Sequence, residues 1–235
     1  MDDDPDPRTV DRDRTIDLDA AAQRWREDGW VLIDGLVDGA TMDVVANELE
    51  TLEVPRPTGP TRRADVVDRP RFRAAQFDGT HLFPLPGAPA LNRLVVHPAL
   101  VAFAAAAIGR TDLRLYQSRL WSKHGEHTDY EQPLHRDLNH SLIPARSEPG
   151  WWHLECFLYL NDVDADNGAP RLVPQSAIEE AGVEPPTVRG PVERADHPGL
   201  YELEIAAAAR RGSLLAYRSD VWHRGVDIAP GRERH

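Results

Sequence analysis

At 235 residues the chain is long enough for one sizeable domain or two small ones, and 41% hydrophobic residues suffice to bury a core. Its 39 acidic residues against 27 basic ones leave a formal net charge of −12, which repels nucleic acid and anionic membranes and excludes both as favoured partners. The single cysteine, Cys156, excludes an intramolecular disulfide, and within LECFLYL it reads as a small buried hydrophobe rather than a catalytic thiol.

The opening stretch, MDDDPDPRTVDRDR, is acidic where a secretory signal would be basic and then apolar. With nothing to bury, residues 1–14 are expected to be a disordered tail. Residues 15–235 are expected to form one domain, helical over 15–110 and β-rich over 111–235. Asp17 can cap a helix through LDAAAQRWRED that Gly29 stops. WVLI predicts a short buried strand, and GATMDVVANELETLEV an amphipathic helix ended by Pro55. From Pro55 to Pro89 the chain is rich in proline, arginine and glycine and has no clear period; a loop that long is expected to cover a site. ALVAFAAAAIG, with Pro98 at its start and Gly109 past its end, predicts a buried helix. No apolar run approaches the ~18 residues of a membrane span, so a cytoplasmic protein is expected.

The character then turns to β. LRLYQSRLWSK alternates, WWHLECFLYLND is aromatic and apolar, APRLVPQSA is short, and GSLLAYRSDVWHRG alternates again. Turn signals part them at Asn167-Gly168, Pro174 and Arg211-Gly212. IEEAGVEPPTVRGPVERADHPG, with its prolines, predicts a second long loop. Both loops, 55–90 and 177–203, are expected to be mobile and to close over a site. Helices first and short strands afterwards predict an α+β, mainly β chain with a sandwich or barrel core, and no internal repeat is visible.

The chemistry concentrates in LHRDLNHSL, Leu134–Leu142. His-Arg-Asp-Leu opens a protein-kinase catalytic loop, but the asparagine needed five residues after the aspartate is Leu142, and neither a Gly-rich loop nor Asp-Phe-Gly is present. DVDADNG likewise lacks the glycine and glutamate of a calcium-binding loop and reads as an acidic turn. In an extended strand His135 and Asp137 share one face, presenting an imidazole beside a carboxylate. Two His and one carboxylate with open positions are the ligand set of non-heme Fe(II) oxygenases. A third ligand on a later strand is required, and His223 in AYRSDVWHRG is well placed; His124, His127 and His140 are the rivals, and His153 is a cavity-lining or core residue.

PLHRDLNHS, FLYLNDVDADNGAPRLVPQSA and GSLLAYRSDVWHRGVDIAPGRERH resemble the successive core segments of the phytanoyl-CoA dioxygenase family, and WREDGWVLIDGLVD resembles its opening helix and strand. The resemblance implies a double-stranded β-helix (jelly-roll) core with N-terminal helices packed on it, and Fe(II) as cofactor with 2-oxoglutarate and O2 as co-substrates. It makes His135, Asp137 and His223 the iron ligands. It assigns the far carboxylate of 2-oxoglutarate to Arg234, with Arg232 as rival on the same strand face, and brings Gln117 and Lys123 of YQSRLWSK to the co-substrate or substrate. It also implies at least one more core strand beyond His235, while Pro-Gln-Ser-Ala at 174–177 departs from the family's Pro-Gly-Ser-His. The activity implied is hydroxylation of a small molecule, of the kind used in natural-product tailoring; an aspartate at 137 argues against halogenation. Two other readings share the ligands: a metal-binding or sensing protein without turnover, and a cupin-like metal isomerase or hydrolase. Residues 55–90, 124–132 and 177–203, where the resemblance is poorest, are expected to set the substrate.

Overall fold

Asp17 and Gly29 bracket the first helix as their chemistry predicts. The computed structural model describes residues 16–52, 80–125, 131–137, 153–187 and 190–235. In it α1 spans Leu18–Asp28; Asp17 Oδ1 accepts the Ala20 N–H at 2.9 Å, and Gly29 closes the helix in the left-handed region at φ 83°. A side chain at Gly29 would also collide, since an added Cβ would lie 2.6 Å from Val221 Cγ2. Strand β1 (Trp30–Ile33) follows, then α2 (Gly39–Thr51), capped by the Asp38 carboxylate on Thr41. The predicted 1–14 tail and residues 55–79 of the first predicted loop lie outside the described residues. The rest of that loop is structured, carrying β2 (Thr80–Leu82) and the start of α3 (Pro89–Leu94); α4 (Pro98–Ile108) comes next.

Pro89–Ile108, 20 residues of mean hydropathy 1.6, is long and apolar enough to cross a membrane by composition, longer than the sequence reading allowed. It is folded as two helices broken at Val95–His97, and they serve different cores: Leu91 and Leu94 pack with Met42 and Val45 of α2, Phe103 and Ala107 with Trp25 of α1.

The strands of the second half are β3 (Arg119–Trp121), β4 (Lys123–His124), β5 (Leu154–Leu158), β6 (Arg171–Val173), β7 (Ile205–Ala206), β8 (Leu214–Arg218), β9 (Trp222–Arg224) and β10 (Glu233–Arg234). They pair antiparallel as β1-β8-β5, β7-β6-β9, β10-β4 and β2-β3. The strand predicted across LRLYQSRLWSK is therefore shorter than expected, because only the residues from Arg119 onward find partners. The second predicted loop is corrected more substantially. Residues 177–203 hold the end of α5 (Gln175–Ala181) and all of α6 (Pro198–Glu202), and Ile178, Val192, Leu200 and Tyr201 are buried with Leu134 and Trp222. Apolar side chains at four points along a proline-rich segment tie it down.

Alternation along β8 separates two layers. Leu214 and Ala216 face α1 and α4, while Leu215 and Tyr217 face Leu172 of β6 together with Tyr159 and Val221. Both faces being covered, all five residues of β8 are buried. Cys156, expected to be buried, is solvent-exposed on β5. The Asp162–Gly168 segment is a turn: Asp164 Oδ1 accepts the N–H groups of Asp166 and Asn167 at 2.9 and 3.0 Å.

Candidate metal centre

Between β8 and β9 the chain leaves one three-stranded sheet for the other, and β9 carries His223 to the end of the second. There His135 and His223 face each other as an antiparallel pair. Each donates its backbone N–H to the other's carbonyl, at 3.0 and 2.9 Å, which sets their rings side by side with centroids 4.4 Å apart. Asp137 is held by its own N–H on Ser219 O at 2.9 Å, and its Oδ2 lies 3.4 Å from His223 Nε2. One donor atom from each of the three side chains falls within 4.8 Å of the other two. No other trio of His, Cys, Asp or Glu among the described residues converges in this way.

The backbone also decides which nitrogen is available. His135 Nδ1 lies 3.0 Å from Pro133 O, and His223 Nδ1 3.0 Å from Val221 O. A carbonyl can only accept, so each Nδ1 carries the proton and the neutral ring keeps its lone pair on Nε2. Both Nε2 atoms are thereby prepared as ligands, in the manner of metal-bound histidines whose other nitrogen is hydrogen-bonded. Burial, reinforced by His223 alongside, pushes His135 down to about 4, against the opposing pull of Pro133 O and Asp137. Neutral imidazoles and a carboxylate are a donor set that fits a divalent transition metal.

The residues flanking both histidines are anchored. Leu134 donates its N–H to the Tyr201 hydroxyl at 2.9 Å, and that hydroxyl donates to Val192 O at 2.7 Å. Val192 in turn gives its N–H to Leu134 O at 2.8 Å. Arg224, next to His223, is buried but fully engaged: Glu204 takes Nε at 2.5 Å and Nη2 at 3.0 Å, and Glu131 takes Nη1 at 2.6 Å. Arg136 lies over the Trp222 ring at 4.5 Å. The segment predicted as a mobile lid thus supplies, through Tyr201, a strut behind the centre, and Glu204 just past its end supplies another.

Sequence reasoning missed those struts, and it missed Tyr217. The Tyr217 ring lies 4.6 Å from the His223 ring, with its hydroxyl 3.4 Å from His223 Nε2. Burial first, then the charges of Asp137 and Glu155, hold that hydroxyl protonated well above its ordinary value. The one sequence signal was its place six residues before His223, on the other side of the turn between sheets. Alone, that spacing does not set it apart from any other aromatic on a strand.

From Tyr217 the interior continues as stacked rings: Phe157 at 5.8 Å, then Trp121 at 6.4 Å from Phe157, with Lys123 Nζ 5.1 Å above Trp121. Lys123 is buried at 4% exposure and pairs with Arg234 across β4 and β10. The charge of Arg234 also reaches the buried Tyr159 hydroxyl, opposing the upward push of burial there, and Tyr159 belongs to the same cluster as Tyr217. Arg232 goes elsewhere. It pairs at the surface with Asp164 at 2.9 Å, because β10 begins only at Glu233 and Arg232 still lies in the turn. The two arginines do not share surroundings, contrary to the expectation of a common strand face. Gln117 is not brought to this interior; it precedes β3, is exposed, and accepts from Arg119 Nη2 at 3.0 Å. Of the rival histidines, His124 pairs with Glu233, while His127 and His140 lie outside the described residues; His153, read as a cavity-lining or core residue, pairs with Glu155.

The sequence profile of the family described as Phytanoyl-CoA dioxygenase (PhyH) matches residues 25–235. No curated protein matches the chain in sequence. Among solved structures, the non-heme alpha ketoglutarate dependent carbocyclase SnoK from nogalamycin biosynthesis is 19% identical with a TM-score of 0.63, over 92% of this chain and 79% of that one. The epimerase SnoN from the same biosynthesis is 21% identical with a TM-score of 0.61, over 92% and 77%. HygX from Streptomyces hygroscopicus, solved with nickel and 2-oxoglutarate bound, is 18% identical with a TM-score of 0.55, over 92% and 83%. At these identities the likeness is one of fold.

Proposed function

The chain belongs to the phytanoyl-CoA dioxygenase family, and from that membership we propose that it is an Fe(II)- and 2-oxoglutarate-dependent oxygenase whose iron is held by His135, Asp137 and His223. The observation that carries the reading is the convergence of two Nε2 lone pairs and a carboxylate on one point. We read the sheets that meet across Leu172, Leu215 and Tyr217 as the faces of a double-stranded β-helix, with α1 and α4 packed outside, and residues 15–235 as one domain.

Bound there with 2-oxoglutarate and O2, iron supplies an oxidant that takes hydrogen from a substrate C–H bond, with succinate and CO2 as by-products. The protein's own residues bind, orient and exclude water. Arg234 is the partner of the far carboxylate of 2-oxoglutarate, since a guanidinium can pair with it bidentately, and Lys123 beside it adds a second positive charge to a site where an unpaired carboxylate would be costly. The stacked rings from Tyr217 to Trp121 wall the space between that anchor and the metal. Hydroxylation of a small molecule is the outcome we assign. SnoN is an epimerase and SnoK a carbocyclase, so the product, not the fold, distinguishes these outcomes.

The test is anaerobic titration with Fe(II) and then 2-oxoglutarate, followed by succinate measurement in air. The parent is expected to bind one Fe(II) and to develop the iron–keto-acid absorption band. Alanine at His135, Asp137 or His223 is expected to abolish stoichiometric binding while the fold persists. A parent that binds iron but shows no band at any concentration, and forms no succinate, is a metal-binding protein without this turnover.

A further inference from the structure

Tyr217 is a polar group beside the metal position to which neither the ligand set nor the co-substrate anchor gives a role. It is 4% exposed, its ring is tilted 45° against the His223 imidazole at 4.6 Å, and its hydroxyl is 3.4 Å from His223 Nε2. That nitrogen carries the ring's lone pair, because Nδ1 is committed to Val221 O. In the metal-free protein the phenol therefore donates to Nε2, over a long bond. A metal bound to Nε2 at ~2.0–2.2 Å takes that lone pair away. The buried hydroxyl then needs a new acceptor, since leaving one unmade is costly.

Packing fixes where that acceptor must be. The Tyr217 ring is stacked on Phe157, and its backbone is paired to Trp30 on one side and Glu155 on the other, so the phenol cannot swing out to solvent. Its oxygen remains close to His223 and thus within reach of an oxygen atom coordinated next to His223. Resting on the assignment of His135, Asp137 and His223 as metal ligands, the geometry points to Tyr217 as a positioning residue: its hydroxyl donates a hydrogen bond to an oxygen ligand of the metal, a water molecule in the resting site and a 2-oxoglutarate oxygen when the co-substrate is bound. Such a bond fixes the orientation of the keto acid and draws charge from the coordinated oxygen.

Tyr217→Phe removes one oxygen and keeps the ring, and a thermal unfolding curve checks that the fold is retained. Two probes report on the metal's oxygen ligands: the d–d bands of the Co(II)-loaded protein, and the anaerobic Fe(II)–2-oxoglutarate band. In the variant, metal is expected to bind with the parent's stoichiometry, both sets of bands to shift, and the 2-oxoglutarate dissociation constant to rise about tenfold, the size expected for one lost hydrogen bond to a charged group. Unchanged bands together with unchanged affinity overturn the proposal. So does a phenolate-to-metal charge-transfer band in the ferric parent that vanishes in the variant, because it would make Tyr217 a ligand. A parent whose Co(II) bands respond to Tyr217→Phe but which shows no Fe(II)–2-oxoglutarate band sinks the co-substrate reading alone and supports this one. A parent that binds neither metal overturns both.

Discussion

Tyr201→Phe isolates a single hydroxyl that secures the bridged segment bearing His135. The hydroxyl accepts from Leu134 N–H at 2.9 Å and donates to Val192 O at 2.7 Å, and all three residues are at most 6% exposed. The substitution leaves the ring in place, so Arg194 at 4.5 Å and Arg224 at 5.5 Å keep their stacking and only the two hydrogen bonds are lost. Each is worth about 1 kcal/mol net, and the stranded Leu134 amide adds a desolvation cost of at least about 1 kcal/mol, so we expect a loss of at least ~3 kcal/mol. That is a large part of the ~5–15 kcal/mol typical of a folded domain. At ~2–4 °C per kcal/mol for a chain of this size, the unfolding midpoint should fall by about 6–12 °C or more. Circular dichroism on the metal-free protein measures this, and Fe(II) titration of the same sample should show weaker binding, because His135 adjoins the loosened residue. A variant that melts within about 1 °C of the parent and holds iron equally well would refute the reasoning that α6 braces the centre.

Arg234→Lys should keep the charge yet weaken 2-oxoglutarate binding by ~1.5–3 kcal/mol, as a lost charge-assisted hydrogen bond requires, while Arg232→Lys should do little because its exposed pair with Asp164 is worth about 0–1 kcal/mol. Titration of the iron–keto-acid band separates them, and greater damage from Arg232→Lys would reverse the assignment. The metal-free protein should also be acid-sensitive through His135. Its folded value of about 4 lies below the usual 6.5, so the unfolded chain binds the proton first. Stability is therefore whole above pH 6.5 and is lost as the pH falls toward 4, by up to about 3 kcal/mol. Urea unfolding across that range should show the slope, and His135→Gln should flatten it; an unchanged slope in the variant would mean that His135 is not its source.

Much of this was legible because the forces involved are local. Asp17 and Gly29 bound α1 through hydrogen bonds made within a few residues, and the two-residue spacing of His135 and Asp137 singled out the pair, although the structure holds them by a bridge to His223 and the Asp137 N–H on Ser219 O rather than in a strand. His223 stood out as the histidine that follows an alternating strand. The resemblance to the family rested on the order of such segments, and the profile match over residues 25–235 bears it out. The 177–203 segment misled, since prolines and missing periodicity describe the backbone but not what Ile178, Leu200 and Tyr201 meet on folding. Arg232 and Arg234 are two letters apart and chemically identical; only the start of β10 at Glu233 sends one to Asp164 and the other beside Lys123. Tyr217 differs from an ordinary core aromatic only through His223, which the turn between the two sheets brings to its hydroxyl. Hydrogen bonds and ion pairs act over a few ångströms, and it is the crossing of sheets and the docking of α6, not spacing along the chain, that decides which groups come that close.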